Sequence, residues 1–416
     1  MDKLVIEGGK TLEGAARVHG AKNAVLPILA ATVLNSGENI IHGCPDLKDV
    51  RSSINILRHL GCSVHRDGDT LTVNSAGAAN CEIQEELMHE MRSSVIFLGA
   101  ILARFGRAVT SLPGGCELGP RPIDLHLKAF RQMGIAIEEE HGYIKCHCDK
   151  ITPAAIHLDF PSVGATENIM LAASLAEGTT VITNAAKEPE IVDLQDYLNC
   201  MGAKIDGAGT SVIQIDGVKR LGSAEHTVIP DRIVAATYLS CGAAAGGTIE
   251  LTNVIPAHME AVLSVAEQYG AKLYVSQDRI VQVAPQRLSP VKMIRTQPHP
   301  GFPTDAQSPL MAALTLARGT SIFVENIFES RYKHVYELCR MGADITVDGR
   351  LAVVRGVGAL SGANVCAMDL RGGAALVVAG LAAQGRTTIS DVYHIDRGYE
   401  NLEDTLRGIG AVIKRE

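Results

Sequence analysis

Six points along the chain carry a polar or charged side chain at one place in a repeating pattern: Lys22-Asn23, Arg92, Ser162, Arg232, Asp305 and Arg371, separated by 70, 70, 70, 73 and 66 residues. Each stands where a β-rich run hands over to an apolar helical stretch. A parallel series, Lys48, Arg121, Arg331 and Arg397, precedes the second helix of the first, second, fifth and sixth copies. Helix N-termini present unpaired N–H groups and a partial positive charge, and arginine adds a planar fork that fits phosphate and carboxylate. An arginine at one helix start is ordinarily half of an ion pair; recurrence in register points the set as a whole towards binding small anions. One segment adds a nucleophile or acid. Ser111 to His126 contains Gly-Gly-Cys-Glu-Leu-Gly-Pro-Arg-Pro, too rich in Gly and Pro for helix or strand. Cys116 lies there five residues from Arg121, whose charge favours a thiolate, and it is the reactive candidate among ten cysteines.

The elements that must position these residues are legible as a repeat. Gly37, Gly106, Gly178, Gly247, Gly319 and Gly385 follow Ala- and Leu-rich stretches and precede β-rich runs, at spacings of 69, 72, 69, 72 and 66, and read as helix C-caps leading into strands. Gly61, Gly134, Gly202, Gly270, Gly342 and Gly410 close a second, amphipathic helix in each copy. After the first five comes an alternating run with a turn, Asp-Gly in the first and fifth, which predicts a two-residue hairpin. Each copy therefore reads helix, strand, helix, strand, strand. The last ends at AVIKRE without its second hairpin strand, while the chain begins with an orphan strand, LVIEGG, so the N-terminus is expected to complete the sixth copy. The period is too long for common solenoids. Two three-copy domains are expected, residues 1–21 plus 230–416 and residues 22–229.

Composition narrows the class. A chain of 416 residues exceeds the size of one hydrophobic core, and 46% apolar with 20% charged residues is the balance of a globular protein rather than a disordered one. With no Trp, 7 Phe and 41 Gly, the cores must be filled by small aliphatic side chains. A net charge of -8 argues against nucleic acid or an anionic membrane as partner. The charged start and the lack of any 18-residue apolar run imply a cytoplasmic protein, and ten cysteines without paired spacing suit a reducing compartment in which most are buried hydrophobes. Gly8-Gly9-Lys10-Thr11 imitates the end of a P-loop, but Leu4 stands where the first glycine is required. His141, Cys146, His147 and Cys148 lack a second pair at zinc spacing and read as a structural hairpin, so no metal is expected.

The strings HGAKNAVLP, GGCELGPRPIDLH, FPSVGATENIM, PTDAQSPLM, FESRYKHVYEL and HIDRGYENLEDTLR together resemble the UDP-N-acetylglucosamine 1-carboxyvinyltransferase family of enolpyruvyl transferases, which opens peptidoglycan synthesis. The resemblance spans essentially the whole chain. It implies an α/β fold, a two-domain inside-out α/β barrel built from six βαβαββ-like repeats, with the active site between the domains. It implies that phosphoenolpyruvate is held by Lys22, Asn23, Arg121 and Arg397, and UDP-N-acetylglucosamine by Arg92, Arg121, Pro122, Ile123, Asp124, Leu125, Ser162, Val163, Gly164, Asp305 and Ile327. Lys48, Arg331 and Arg371 would support them. The implied catalytic set is Cys116, Asp305, Lys22 and Arg397, with Cys116 the proton donor and the site of a covalent adduct and of alkylation by fosfomycin-type epoxides, and Asp305 the base for the sugar 3-hydroxyl. The family uses no cofactor. Elementary chemistry agrees: phosphoenolpyruvate carries a phosphate and a carboxylate close together and demands cations, and addition across its double bond demands an acid and a base. Two rivals are a 3-phosphoshikimate 1-carboxyvinyltransferase, disfavoured by the GGC segment, and a non-catalytic nucleotide-sugar sensor, disfavoured because Cys116, Asp305 and the arginines are all present. Nothing in the sequence indicates an oligomeric state.

Overall fold

Six helices lack a polar face, and a helix apolar on all sides has to be enclosed. They are α1 (Lys22–Ala31), α2 (Phe97–Phe105), α3 (Val163–Ala173), α4 (Arg232–Ala245), α5 (Thr304–Leu314) and α6 (Leu370–Ala382). In the computed structural model, which describes residues 2–111 and 123–416 apart from the side chains of His89, Glu90, Arg92 and Ser93, they are buried over most of their lengths. The chain forms two compact units with separate cores, one from residues 2–19 with Pro230–Glu416, the other from the described residues between Gly20 and Ile229. In the first unit α4, α5 and α6 pack on one another; in the second α2 packs on α1 and α3. Small residues permit the approach: a methyl added to Gly99 of α2 would lie 2.4 Å from the Asn168 carbonyl oxygen of α3.

Around the inner helices the described residues form six small sheets, five of four strands and one of three. In each four-stranded sheet the strand after an inner helix pairs in parallel with a strand delivered by another repeat and antiparallel with its own hairpin, or with what replaces it. In the three-stranded sheet, a single parallel bridge from Glu82 to Val109 stands in for the fourth strand. Strand β1 (Leu4–Glu7) lies antiparallel between Arg386–Ser390 and Val412–Arg415, where the sixth repeat lacks a hairpin strand of its own. Strand β2 (Leu12–Arg17) then runs parallel to Gly247–Thr252 in the next sheet. The strands Ile294–Arg295 and Asn364–Cys366 make the same step onward, so the three sheets of this unit connect in a cycle.

The amphipathic helices all end alike. At the first, Gly61 at φ 100° donates its N–H to the Arg58 carbonyl while Cys62 donates to Leu57, the paired bonds of a Schellman cap. The other five of that series repeat both bonds. The first glycine series differs from expectation. Only Gly106 directly follows its helix; all six stand at the entrance to a strand, and at all but Gly385 space is short, as at Gly247, whose added methyl would meet the Leu12 carbonyl oxygen at 2.2 Å. The hairpin turns also fall one residue later than Asp-Gly suggests. Asp67 pairs with Thr70 and Asp348 with Leu351, leaving Gly68-Asp69 and Gly349-Arg350 as loops, with the glycine supplying the positive φ that the first position of a type II′ turn needs. Of the nine described cysteines only Cys44, Cys62, Cys146 and Cys241 are buried, which corrects the expectation for most of them. Burial pushes these thiols up, to about 12 at Cys44, Cys146 and Cys241 and about 11 at Cys62. Cys200 and Cys339 lie on the solvent side of outer helices, so exposure alone does not single out Cys116. Among the described residues no helix is long and apolar enough to cross a membrane.

Candidate active site

In the unit between Gly20 and Ile229, Lys22 opens α1 and Lys48 opens the helix Lys48–His59. Two helix N-termini repel a cation, and the opposing charge comes from Asp49, whose Oδ2 accepts from Lys22 Nζ at 3.1 Å. Asp49 is fully buried and Lys22 nearly so, which holds the ammonium in one place; Asn23 beside it is half-buried and Lys48 exposed. Ser162 caps α3, its Oγ accepting from Ala165 N at 3.3 Å, and leaves Val163 and Gly164 half-buried in the first turn. Asp124 opens the helix Asp124–Gln132, exposed, with Leu125 half-buried and Ile123 buried.

His126 ties these two segments together. The amide orientation of Asn168 is set because its Oδ1 accepts from Gly99 N at 2.8 Å, and one Nδ2 hydrogen goes to the Val95 carbonyl at 3.0 Å. The other meets His126 Nδ1 at 2.8 Å, so Nδ1 accepts and the imidazole carries its hydrogen on Nε2. The ring lies under the first turn of α3, 3.2 Å from where a side chain on Gly164 would begin. Burial pushes this imidazole down to about 4, against a small opposing pull from Asp124. Cys116, Arg121 and Pro122 lie outside the described residues. Arg92 opens the 3-10 turn Arg92–Ile96 that leads into α2.

In the other unit the carboxylate of Asp305, in the first turn of α5, meets two buried guanidiniums. Arg331 Nη2 donates to Oδ1 at 2.8 Å and Arg371 Nη2 to Oδ2 at 3.1 Å. Each arginine is 2% exposed and Asp305 27%, so the carboxylate faces outward over a cationic floor. Arg331 Nη2 also reaches the Thr304 carbonyl at 3.0 Å, and its guanidinium lies 5.6 Å from the Phe328 ring centroid. Buried Glu325 accepts from Thr304 Oγ1 at 3.0 Å with one oxygen, and from the N–H groups of Ile327 and Phe328 at 2.8 and 3.0 Å with the other. One side chain thus fixes Ile327 against the start of α5. His334 is buried behind Arg331 and donates from Nδ1 to its carbonyl at 3.2 Å. Burial pushes this imidazole down to about 4, Asp369 opposing and Arg331 adding to the fall.

Arg232 opens α4 behind the Asp231 cap, whose Oδ1 accepts from Ile233 and Val234 N–H. Arg397 ends the 3-10 turn Val392–Arg397, half-buried, rather than opening the helix Leu402–Gly408. The structure thus gathers Asp305, Arg331, Arg371 and Ile327 in one unit, and Lys22 with Asp49, and Ile123–Leu125 with Ser162–Gly164, in the other. Sequence reasoning overlooked Asp49, His126, Thr304, Glu325 and Tyr399. Asp49 adjoins Lys48 and Tyr399 lies within the HIDRGYENLEDTLR string, but only partners far along the chain reveal what they do. Among the described residues no group of three or more His, Cys, Asp or Glu could hold a metal ion.

Six α/β repeats whose inner helices begin in cations and a twice-clamped carboxylate define an enolpyruvyl transferase, and the chain belongs to that family: residues 6–406 match the profile described as EPSP synthase (3-phosphoshikimate 1-carboxyvinyltransferase). The enolpyruvyl transferase NikO from Streptomyces tendae has the same fold, with a TM-score of 0.89 at 26% identity over 100% of this chain and 98% of that one. EPSP synthase from Acinetobacter baumannii superposes with a TM-score of 0.77 at 19% identity, covering 100% of both chains. In sequence the chain is 53% identical to UDP-N-acetylglucosamine 1-carboxyvinyltransferase 2 of Caldanaerobacter subterraneus subsp. tengcongensis, over 100% of each. It is 51% identical to UDP-N-acetylglucosamine 1-carboxyvinyltransferase 1 of Symbiobacterium thermophilum, over 100% of this chain and 95% of that one.

Proposed function

We propose that the protein transfers the enolpyruvyl group of phosphoenolpyruvate to the 3-hydroxyl of UDP-N-acetylglucosamine with release of phosphate, the first step of peptidoglycan synthesis in the cytoplasm. The observation that carries this reading is full-length identity of 53% and 51% to enzymes of that name, against 26% and 19% to solved members of other branches. Residues 1–21 plus 230–416 and 22–229 serve as its two domains.

In this reading Lys22, Asn23, Arg121 and Arg397 neutralise the phosphate and carboxylate of phosphoenolpyruvate, with Asp49 keeping Lys22 in place. Ile123–Leu125 with Pro122, Ser162–Gly164, Arg92 and Ile327 hold the nucleotide sugar. Cys116 gives a proton to the methylene carbon as the sugar oxygen bonds to the adjacent carbon, and Asp305 takes the hydroxyl proton. The product of that addition is a tetrahedral ketal. Loss of a methyl proton and of phosphate restores the double bond. Asp305 suits its part because two guanidiniums fix both of its oxygens, leaving little reorganisation for the reaction to require. Cys116 is also the site at which a fosfomycin-type epoxide would add.

A second reading has one observation in its favour: the matching profile is named for 3-phosphoshikimate. Phosphate release from phosphoenolpyruvate, followed with each acceptor in the wild type and in Cys116→Ala, separates the two. Release that requires the nucleotide sugar and falls in Cys116→Ala is expected. Release with shikimate 3-phosphate alone would overturn the proposal, and release with neither would point to a nucleotide-sugar sensor.

A further inference from the structure

Asp305 owes its position to two arginines that are themselves held differently. Arg331 binds the Thr304 carbonyl and Asp305 Oδ1 from the same nitrogen, so it is anchored on the turn it serves. Arg371 arrives from α6 and touches Asp305 through Nη2 alone; its other terminal nitrogen, Nη1, donates to the Tyr399 hydroxyl at 3.1 Å. That hydroxyl lies 2.8 Å from Thr237 Oγ1 on α4. The direction of the chain follows from its ends. Thr237 donates to the Ile233 carbonyl one turn back at 3.0 Å, so it accepts from Tyr399; Arg371 has no acceptor, so Tyr399 accepts from it. The Tyr399 ring also lies alongside the guanidinium, its centroid 5.5 Å from the central carbon. Arg371, Tyr399 and Thr237 are all 1 to 2% exposed, so water cannot replace a lost partner.

We propose that Tyr399 is a positioning residue for Asp305: its hydroxyl, oriented by Thr237, locks the Arg371 guanidinium so that the second amino group lies on Asp305 Oδ2. A relay through three inner helices, α4 to α6 to α5, thereby sets where the base sits. The proposal rests on the reading of Asp305 as base. Tyr399→Phe keeps the ring and removes the oxygen, allowing the guanidinium to turn away from Oδ2. Because it loosens a group placed for the transition state, it lowers kcat by about ten- to a hundredfold and leaves KM for both substrates within about twofold. A carboxylate held by one arginine instead of two takes a proton more readily, so the acidic limb of kcat/KM moves to higher pH.

The experiment measures kcat, KM, the pH profile and the melting temperature of the full chain carrying Tyr399→Phe, Thr237→Val, Thr237→Ser, Tyr269→Phe or Asp305→Asn. Tyr269 is a buried tyrosine of the same unit whose hydroxyl donates to Gln282 Oε1 at 2.8 Å, so its variant reports the loss of a buried hydrogen bond that has no part in the Thr237–Tyr399–Arg371 chain. The expected result is a fall in kcat with a displaced acidic limb in Tyr399→Phe and, less strongly, in Thr237→Val, with Thr237→Ser and Tyr269→Phe retaining wild-type kinetics. Melting shifts in Tyr399→Phe and Thr237→Val without change in kcat or acidic limb, while Asp305→Asn is inactive, would overturn the positioning role and leave the base intact. Wild-type kcat in Asp305→Asn would overturn the base, and the relay with it.

Discussion

Acidification offers a sharp test of the way the nucleotide-sugar segments are held together. His126 Nδ1 accepts from an Asn168 amide whose other bonds fix its orientation, so a proton on Nδ1 would set donor against donor in a buried place. Burial, which disfavours the charged form, already brings the imidazole to about 4 in the folded chain, against 6.5 ordinarily, and the donor conflict acts in the same direction. The unfolded chain binds the proton first, so this contribution is complete above pH 6.5 and drains away as pH falls towards 4. Between pH 7 and pH 5 the loss is about 2 kcal/mol from this residue alone. His126→Gln supplies an amide oxygen that can accept the same Asn168 hydrogen and does not titrate. Urea denaturation of both proteins at the two pH values removes the carboxylates common to them, and the variant should lose about 2 kcal/mol less than the wild type. KM for UDP-N-acetylglucosamine should follow, rising towards pH 5 more steeply in the wild type, because the His126 ring packs under Gly164. Equal losses of stability in the two proteins would refute a buried imidazole that resists protonation at His126.

Three further outcomes are expected. Asp49→Asn removes the charge partner of Lys22 and should lower kcat/KM for phosphoenolpyruvate by about tenfold, with a smaller effect on the KM for the nucleotide sugar, measured by steady-state phosphate release. Burial, aided by Glu190 and Glu188, raises the Glu167 carboxyl well above its ordinary 4.5; the folded chain then holds a proton that the unfolded chain gives up, and stability declines as pH rises through that interval. Glu167→Gln should accordingly melt higher than the wild type, by a margin that grows as pH rises above 4.5. Gly342 lies at φ 94° with open space around it, so Gly342→Ala should cost only the left-handed backbone, about 1–2 kcal/mol in urea denaturation; Gly61→Ala should cost more, its methyl meeting the Gly77 carbonyl oxygen at 2.6 Å.

The features legible in the sequence are those written in local pattern. The six inner helices were visible as runs of Ala, Leu and Val, the amphipathic helices by the glycine that ends them, and the place of β1 by the strand missing from the sixth repeat. Lys22, Arg92, Ser162, Arg232, Asp305 and Arg371 all lie at or within two residues of a helical start because a strand-to-helix handover recurs. The overlooked features depend on distance along the chain. Thr237 and Tyr399 are separated by 162 residues, His126 and Asn168 by 42, and Glu325 reaches back 21 residues to Thr304. No spacing rule links such pairs. Asp-Gly misled by one residue because a two-residue loop beginning with glycine leaves the aspartate in the strand. Arg397 sits at the far end of a 3-10 turn because the sixth repeat inserts that turn before its outer helix.

The central place of β1 in its sheet has a temporal consequence. Leu4 pairs with Ile389 on one side and Arg415 on the other, so this strand leaves the ribosome well before either of its neighbours. At ordinary synthesis rates that interval is roughly 20 to 80 seconds. During it the residues from Gly20 to Ile229, contiguous in sequence, emerge with every strand their sheets require, while LVIE waits as an unpaired apolar segment. Protecting that short strand from premature pairing is therefore a demand that synthesis from N- to C-terminus places on the host cell, and a circular permutant beginning near Gly20 would remove it.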